Sequence, residues 1–114
     1  MNKTYKWNNA SFRFSAMDAD TKDKFNKLVN KAKDEMLEYE KVHCKDGMLD
    51  ADGIRAECDI FDKMFDEILG NEASKKMFSD KDLYERVSAY NKIRKLYARQ
   101  IEEYNELVQA MENN

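Results

Sequence analysis

A chain of 114 residues has the size of one domain and, once compact, buries roughly two-thirds of the surface its unfolded form exposes. Charged residues make up 38% and hydrophobic residues 42%, the net charge is −3 and the isoelectric point is near 5.3, with basic and acidic residues intermixed throughout. This composition excludes a nucleic-acid footprint, which needs basic residues gathered on one side, and an 11% aromatic share without any proline excludes intrinsic disorder.

The reading in chain order is of a mainly α fold: a single domain, 1–114, of three to four helices with a long C-terminal helix and a short N-terminal β-hairpin. Over residues 1–16, Tyr5 and Trp7 alternate with polar residues, Asn8 and Asn9 tolerate the positive φ of a tight turn, and Phe12 and Phe14 alternate again. Four aromatics then point one way. An isolated hairpin is marginal in water, so this face must rest on the helices or on a partner subunit.

Asp18 or Asp20 caps a first helix over 20–45, whose apolar positions Phe25, Leu28, Val29, Ala32, Met36 and Val42 are spaced by threes, fours and their sums, and Gly47 closes it. A second helix, 51–69, is capped by Asp50 or Asp52, carries Ile54, Cys58, Phe61, Phe65 and Ile68 on one face, and meets Gly70 at its end. A short helix over 72–78 brings Met77 and Phe78 into the core, and Ser79 or Asp80 caps the last helix, 80–111. That helix has a heptad rhythm: Leu83, Val87, Tyr90, Arg94, Tyr97, Ile101, Tyr104, Val108 and Met111 alternate spacings of four and three. At ~1.5 Å per residue it is about 45 Å long, longer than a globule of this size comfortably covers, so part of it is expected to protrude or pack on another chain.

No constellation for chemistry emerges. Aligned on an EF-hand, DGMLDADG (46–53) places Met48 at the first ligand position and Asp59 at the twelfth, so both anchoring ligands fail and a turn with a helix cap is the better reading. His43 and Cys44 are sequence neighbours about 100° apart on a helix, a poor arrangement for a base and nucleophile, and no metal-ligand spacing links them to Cys58. Catalytic residues, metal ligands and cofactors are therefore all expected to be none. Asp59, Asp62 and Asp66 share one helix face, an acidic ridge that reads first as a solvated side. No run of 18 apolar residues and no N-terminal apolar stretch is present, so a cytoplasmic protein without a membrane partner is expected, with the two cysteines as unpaired thiols.

Tyr90, Tyr97 and Tyr104 recur every seven residues, and tyrosine combines a large contact area with a hydroxyl that tolerates partial exposure. Tyr90, Tyr97, Ile101, Tyr104 and Val108 are therefore the expected contacts for a protein partner or for a homo-oligomer, and Trp7, Phe12 and Phe14 form a second candidate surface.

The stretch IRAECDIFDKMFDEILGNEASKKMF, 54–78, carries a resemblance. Phe65, Asp66, Glu67, Ile68, Leu69, Gly70, the run Ser74, Lys75 and Lys76, and Phe78 resemble the core of small phage and prophage proteins of Gram-positive bacteria similar to siphophage tail assembly chaperones. Met64 replaces an aromatic of that pattern and Ser79 a glycine. The resemblance implies a non-catalytic protein that binds the tape-measure protein during tail assembly, in the cytoplasm of the bacterial host, and is absent from the finished virion. The alternative is a small phage inhibitor that docks on a host protein such as a defence nuclease through the acidic ridge, for which a charge of −3 is weak.

Overall fold

The computed structural model describes residues 1–44 and 46–113. Two strands, β1 (Thr4–Trp7) and β2 (Ala10–Arg13), precede four helices, α1 (Ala19–His43), α2 (Ala51–Leu69), α3 (Ala73–Met77) and α4 (Leu83–Glu112). The expected mainly α architecture with an N-terminal hairpin and a long last helix is the observed one. The expected end of the first helix at residue 45 lies outside the described residues; α1 closes at His43, with the Cys44 amide donating to the Glu40 carbonyl.

The hairpin pairs Tyr5 with Phe12 and Trp7 with Ala10 around a two-residue turn in which Asn8 takes φ 52°. It rests on α4, as a two-stranded unit must rest on something. The Tyr5 hydroxyl donates to the Ala89 carbonyl at 2.8 Å, Lys92 Nζ donates to the Lys6 carbonyl at 2.6 Å, and the Asn8 amide donates to the Met77 carbonyl at 2.7 Å. Tyr5 and Phe14 are buried, whereas Trp7 and Phe12 are half-buried at the edge of the core.

Side-chain caps set the helix starts: Asp18, Asp50 and Asp82 accept from the amides of Asp20, Gly53 and Glu85. The last helix therefore begins at Leu83 and not at Asp80, because Asp82 is the cap and the Asp80 carbonyl serves as an acceptor for Arg86. Gly70 ends α2 at φ 120°, a conformation open to glycine and costly for other residues. Helices α1 and α4 run antiparallel, since Lys33 lies 5.8 Å from the ring centroid of Tyr90 while Phe25 stacks on Tyr97 at 4.3 Å. The core joins Phe14, Phe25, Val29, Phe61, Phe65, Met77, Phe78, Ile93 and Tyr97 across these elements.

Two apolar stripes differ from expectation. Val42 is exposed, because 17 residues after Phe25 a helix has turned about 260° beyond whole turns and presents another face. On α4 the buried set is Arg86, Ala89, Ile93, Tyr97 and Gln100, whereas Val87 and Arg94 of the heptad reading face solvent. A strict heptad drifts ~20° per repeat around a straight helix unless two helices supercoil, so the stripe starts beside the core face and reaches it only near Tyr97.

Arg86 can be buried because acceptors within the chain meet its guanidinium donors. Its Nε and Nη2 donate to the two carboxylate oxygens of Asp62 at 3.1 and 3.2 Å, Nη1 donates to the carbonyls of Asp80 and Asp82, and the guanidinium lies 4.1 Å from the Phe78 ring centroid. Lys81 bridges Asp59 at 2.8 Å and Asp62 at 3.0 Å. Asp62→Ala strands the buried guanidinium and is expected to cost about 3 kcal/mol in urea denaturation, whereas Asp59→Ala, at an exposed pair, costs under about 1 kcal/mol.

Candidate protein-binding site

Past Gln100, α4 leaves the body of the molecule. Gln100 is 1% exposed and closes the core: its Oε1 accepts from the Ala16 amide at 2.6 Å, and its Nε2 donates to the carbonyls of Asn2 and Phe14 at 2.6 and 2.9 Å. The antiparallel pairing brings the start of α1 level with about Tyr104, so the last turns of α4 have no helix beside them. The radius of gyration is 16.3 Å, against about 13 Å for a compact chain of this length, and the molecule measures 59 by 29 by 20 Å.

This overhang keeps the phase of the core face. Residues 104, 107, 108 and 111 follow 97 and 100 at helical spacings of three and four, so the stripe that is core above Gln100 continues below it with nothing to cover it. Tyr104 is 42% exposed, Leu107 68% and Met111 70%. Tyr104, Leu107, Val108, Ala110 and Met111 line one shallow hollow, and Tyr104 and Leu107 also wall a groove of about 840 Å³ with Met1, Lys3, Arg13 and Met17 opposite.

The expected contact residues thus separate. Tyr104 and half-buried Val108 lie on the overhang, whereas Ile101, at its root, is half-buried and packs against the core. Tyr97 is 7% exposed and belongs to the core, stacked on Phe25 with an interplanar angle of 18° and tilted against Phe14 at 6.2 Å. Phe14, 2% exposed, is core as well, so neither can present a free surface without unfolding its neighbours. Tyr90 is half-buried against Phe61, and Trp7 and Phe12 pack on the core edge, with Lys92 over the Trp7 ring. Leu107, Met111 and Met17 were not among the expected contacts. The sequence signal was present for Met111, the last heptad position, and Leu107 lies one turn from it on the same side of α4.

The acidic groups singled out in the sequence have structural partners. Asp59 and Asp62 of the acidic ridge are engaged by Lys81 and Arg86, and Asp66 accepts from the Ser74 amide at 2.8 Å, capping α3. Asp50 caps α2 and Asp52 pairs with Arg55 at 2.8 Å. His43 stacks on Tyr39 at 4.3 Å. Cys44 and Cys58 are free thiols, and burial, foremost, raises both above the usual thiol range, the reverse of what activates a nucleophile. Among the described residues no group of three or more His, Cys, Asp or Glu could hold a metal ion, and no helix is long and apolar enough to cross a membrane. The stretch 54–78 builds most of α2 and all of α3: Phe65 meets Phe78 edge-on at 5.7 Å, beside the Asp66 cap.

Glu57 is 4% exposed, and its Oε2 has no hydrogen-bond partner among the described residues. Burial, and then the neighbouring Glu40 carboxylate, push its carboxyl from 4.5 up to about 7. The folded state therefore holds a proton that the unfolded chain has released between those values, so raising the pH through this window costs stability. Glu57→Gln removes that cost: denaturation midpoints of the variant are expected to stay level from pH 4.5 to 7, where the parent declines.

A comparison with family models matches residues 8–114 to the family described as "Family of unknown function (DUF6673)". No curated protein and no solved structure matches the chain.

Since the Tyr97 hydroxyl has no hydrogen-bond partner among the described residues, its work in the core is done by the ring. Tyr97→Phe is expected to change stability by less than about 1 kcal/mol and Tyr97→Ala to cost about 3–5 kcal/mol by chemical denaturation.

Proposed function

The chain belongs to the DUF6673 family, whose function is unknown, and from its own surfaces we propose that it is a non-catalytic protein-binding module that acts as a chaperone in phage tail assembly. The observation that carries the binding role is the overhang, where an aromatic, a leucine and a methionine stand exposed on successive turns of one continuous helix. A surface stripe of this kind is costly to leave in water and matches the way amphipathic helices dock against one another. A tape-measure protein is a long helical chain whose apolar stripes need cover before the tail is built, and Ile101, Tyr104, Leu107, Val108 and Met111 are the side chains to supply it. The resemblance of 54–78 supports the tail-assembly setting, in which the proposed chaperone works in the bacterial cytoplasm and is left out of the finished virion.

The inhibitor alternative has less behind it, because the acidic ridge that motivated it is occupied by Lys81, Arg86 and the α3 cap. A charged surface already paired within the chain has little left to imitate a phosphate backbone.

Co-expression with the tape-measure protein encoded in the same genome tests the reading. The expected outcome is co-purification that Leu107→Glu with Met111→Glu abolishes and that Tyr84→Glu, an exposed residue at the opposite end of α4, leaves intact. Failure of the two proteins to associate, or a complex indifferent to the overhang changes, would overturn it.

A further inference from the structure

Acidic and basic residues are mixed along most of the chain, and the fold brings the two exceptions together. Residues 1–17 and 86–101 hold eight of the 20 lysines and arginines and none of the 23 aspartates and glutamates. One of the eight, Arg86, is buried against Asp62. The other seven are exposed, and among the described residues none of them forms an ion pair within the chain.

The hairpin turns Tyr5, Trp7 and Phe12 inward, so strand alternation leaves Thr4, Lys6, Ser11 and Arg13 on its outer face, two cations beside two hydroxyls. Strand β1 runs along α4 in the opposite direction. Lys92 Nζ donates to the Lys6 carbonyl at 2.6 Å, and about two turns further on Gln100 Nε2 donates to the Asn2 carbonyl at 2.6 Å. Between these two bonds the outward flank of α4 carries Lys92, Lys95 and Arg99 at spacings of three and four. The hairpin face and the helix flank therefore form one cationic surface in a chain whose net charge is −3.

Carboxylates close this surface at both ends. Glu85 accepts from the Asn8 amide at 3.3 Å beside the hairpin turn. At the other end Glu102 borders the hollow lined by Lys92, Arg94, Lys95 and Arg99, and Glu103 and Asp18 share a groove with Lys3 and Arg13. From Lys92 to Arg99 the flank is ~10 Å long at ~1.5 Å per residue. A nucleic-acid strand, charged at every nucleotide, would run from so short a patch onto the bordering carboxylates, whereas a short run of glutamates or aspartates can end within it.

We propose that the outer hairpin face and the Lys92–Arg99 flank of α4 dock an acidic segment of a partner protein. Each contact is a solvent-exposed charge pair and weak alone, so affinity comes from several made together and falls as salt screens them. The surface is separate from the apolar overhang, and the inference does not depend on that reading.

The test is fluorescence anisotropy of a short labelled oligoglutamate peptide titrated with the full chain at low ionic strength, beside an oligoglutamine peptide of equal length and an oligothymidylate strand. Oligoglutamate is expected to bind and oligoglutamine not to. Lys95→Glu with Arg99→Glu should weaken binding by at least about tenfold, and Lys95→Gln with Arg99→Gln by less, since it removes charge without adding repulsion. Lys27→Glu with Lys31→Glu makes the same change of net charge at exposed positions of α1 opposite Phe25 and Val29, and should keep the affinity within about twofold. Far-UV circular dichroism separates loss of binding from loss of folding. No binding at hundreds of micromolar, an equal loss in the α1 variant, or oligothymidylate bound more tightly than oligoglutamate overturns the proposal, the last by making the surface a nucleic-acid site. Leu107→Glu with Met111→Glu should leave peptide binding intact, so failure of this surface and failure of the overhang are read separately.

Discussion

The Gln100 carboxamide decides where the folded body stops. Ala16, Asn2 and Phe14 offer it one donor and two acceptors at the place where the hairpin returns to the start of α1, and a side-chain amide can meet all three at once. The Ala16 amide and the Phe14 carbonyl, which burial would otherwise leave without partners, are thereby satisfied. Above this residue α4 is covered by α1, α2 and the hairpin. Below it the same helix face continues into solvent. The division between core and overhang is thus set by one hydrogen-bonded side chain and by the lengths of the two helices, and not by any change in the apolar character of α4.

At the other end of the body, Arg86 does comparable work for the junction between α2, α3 and α4. Its guanidinium joins Asp62 and two loop carbonyls while lying on Phe78, so the loop after α3 is fixed to both neighbouring helices. Asp59, Asp62 and Asp66 of α2 are consumed in this junction and in the α3 cap. Much of the stretch 54–78 is therefore packing and capping, and the exposed apolar residues lie elsewhere, on the last turns of α4.

The overhang and the buried carboxyl of Glu57 both depart from what stability alone favours. Leucine and methionine in water, and an ionisable group under cover, each raise the free energy of the isolated chain. The first is the surface on which the proposed binding role rests. The second sits where α2 faces Glu40 of α1 and makes the fold slightly more secure in mild acid than at neutral pH.

The sequence by itself determined the elements. Aspartate caps, the glycine after Leu69 and the three-and-four spacing of apolar residues act within a few residues, so the bounds of α2 and the hairpin with its Asn8 turn could be read directly. Ile101, Tyr104 and Val108 were legible as candidate contacts for the same local reason. Only the tertiary structure decided which part of the α4 stripe is core. Tyr97 and Phe14 became interior because Phe25 reaches both, and Arg86 and Gln100 could be buried because Asp62 and Ala16, 24 and 84 residues away in sequence, complete their hydrogen bonds. A helical period records which residues share a face; whether that face is covered depends on the length and phase of elements that meet it from elsewhere in the chain.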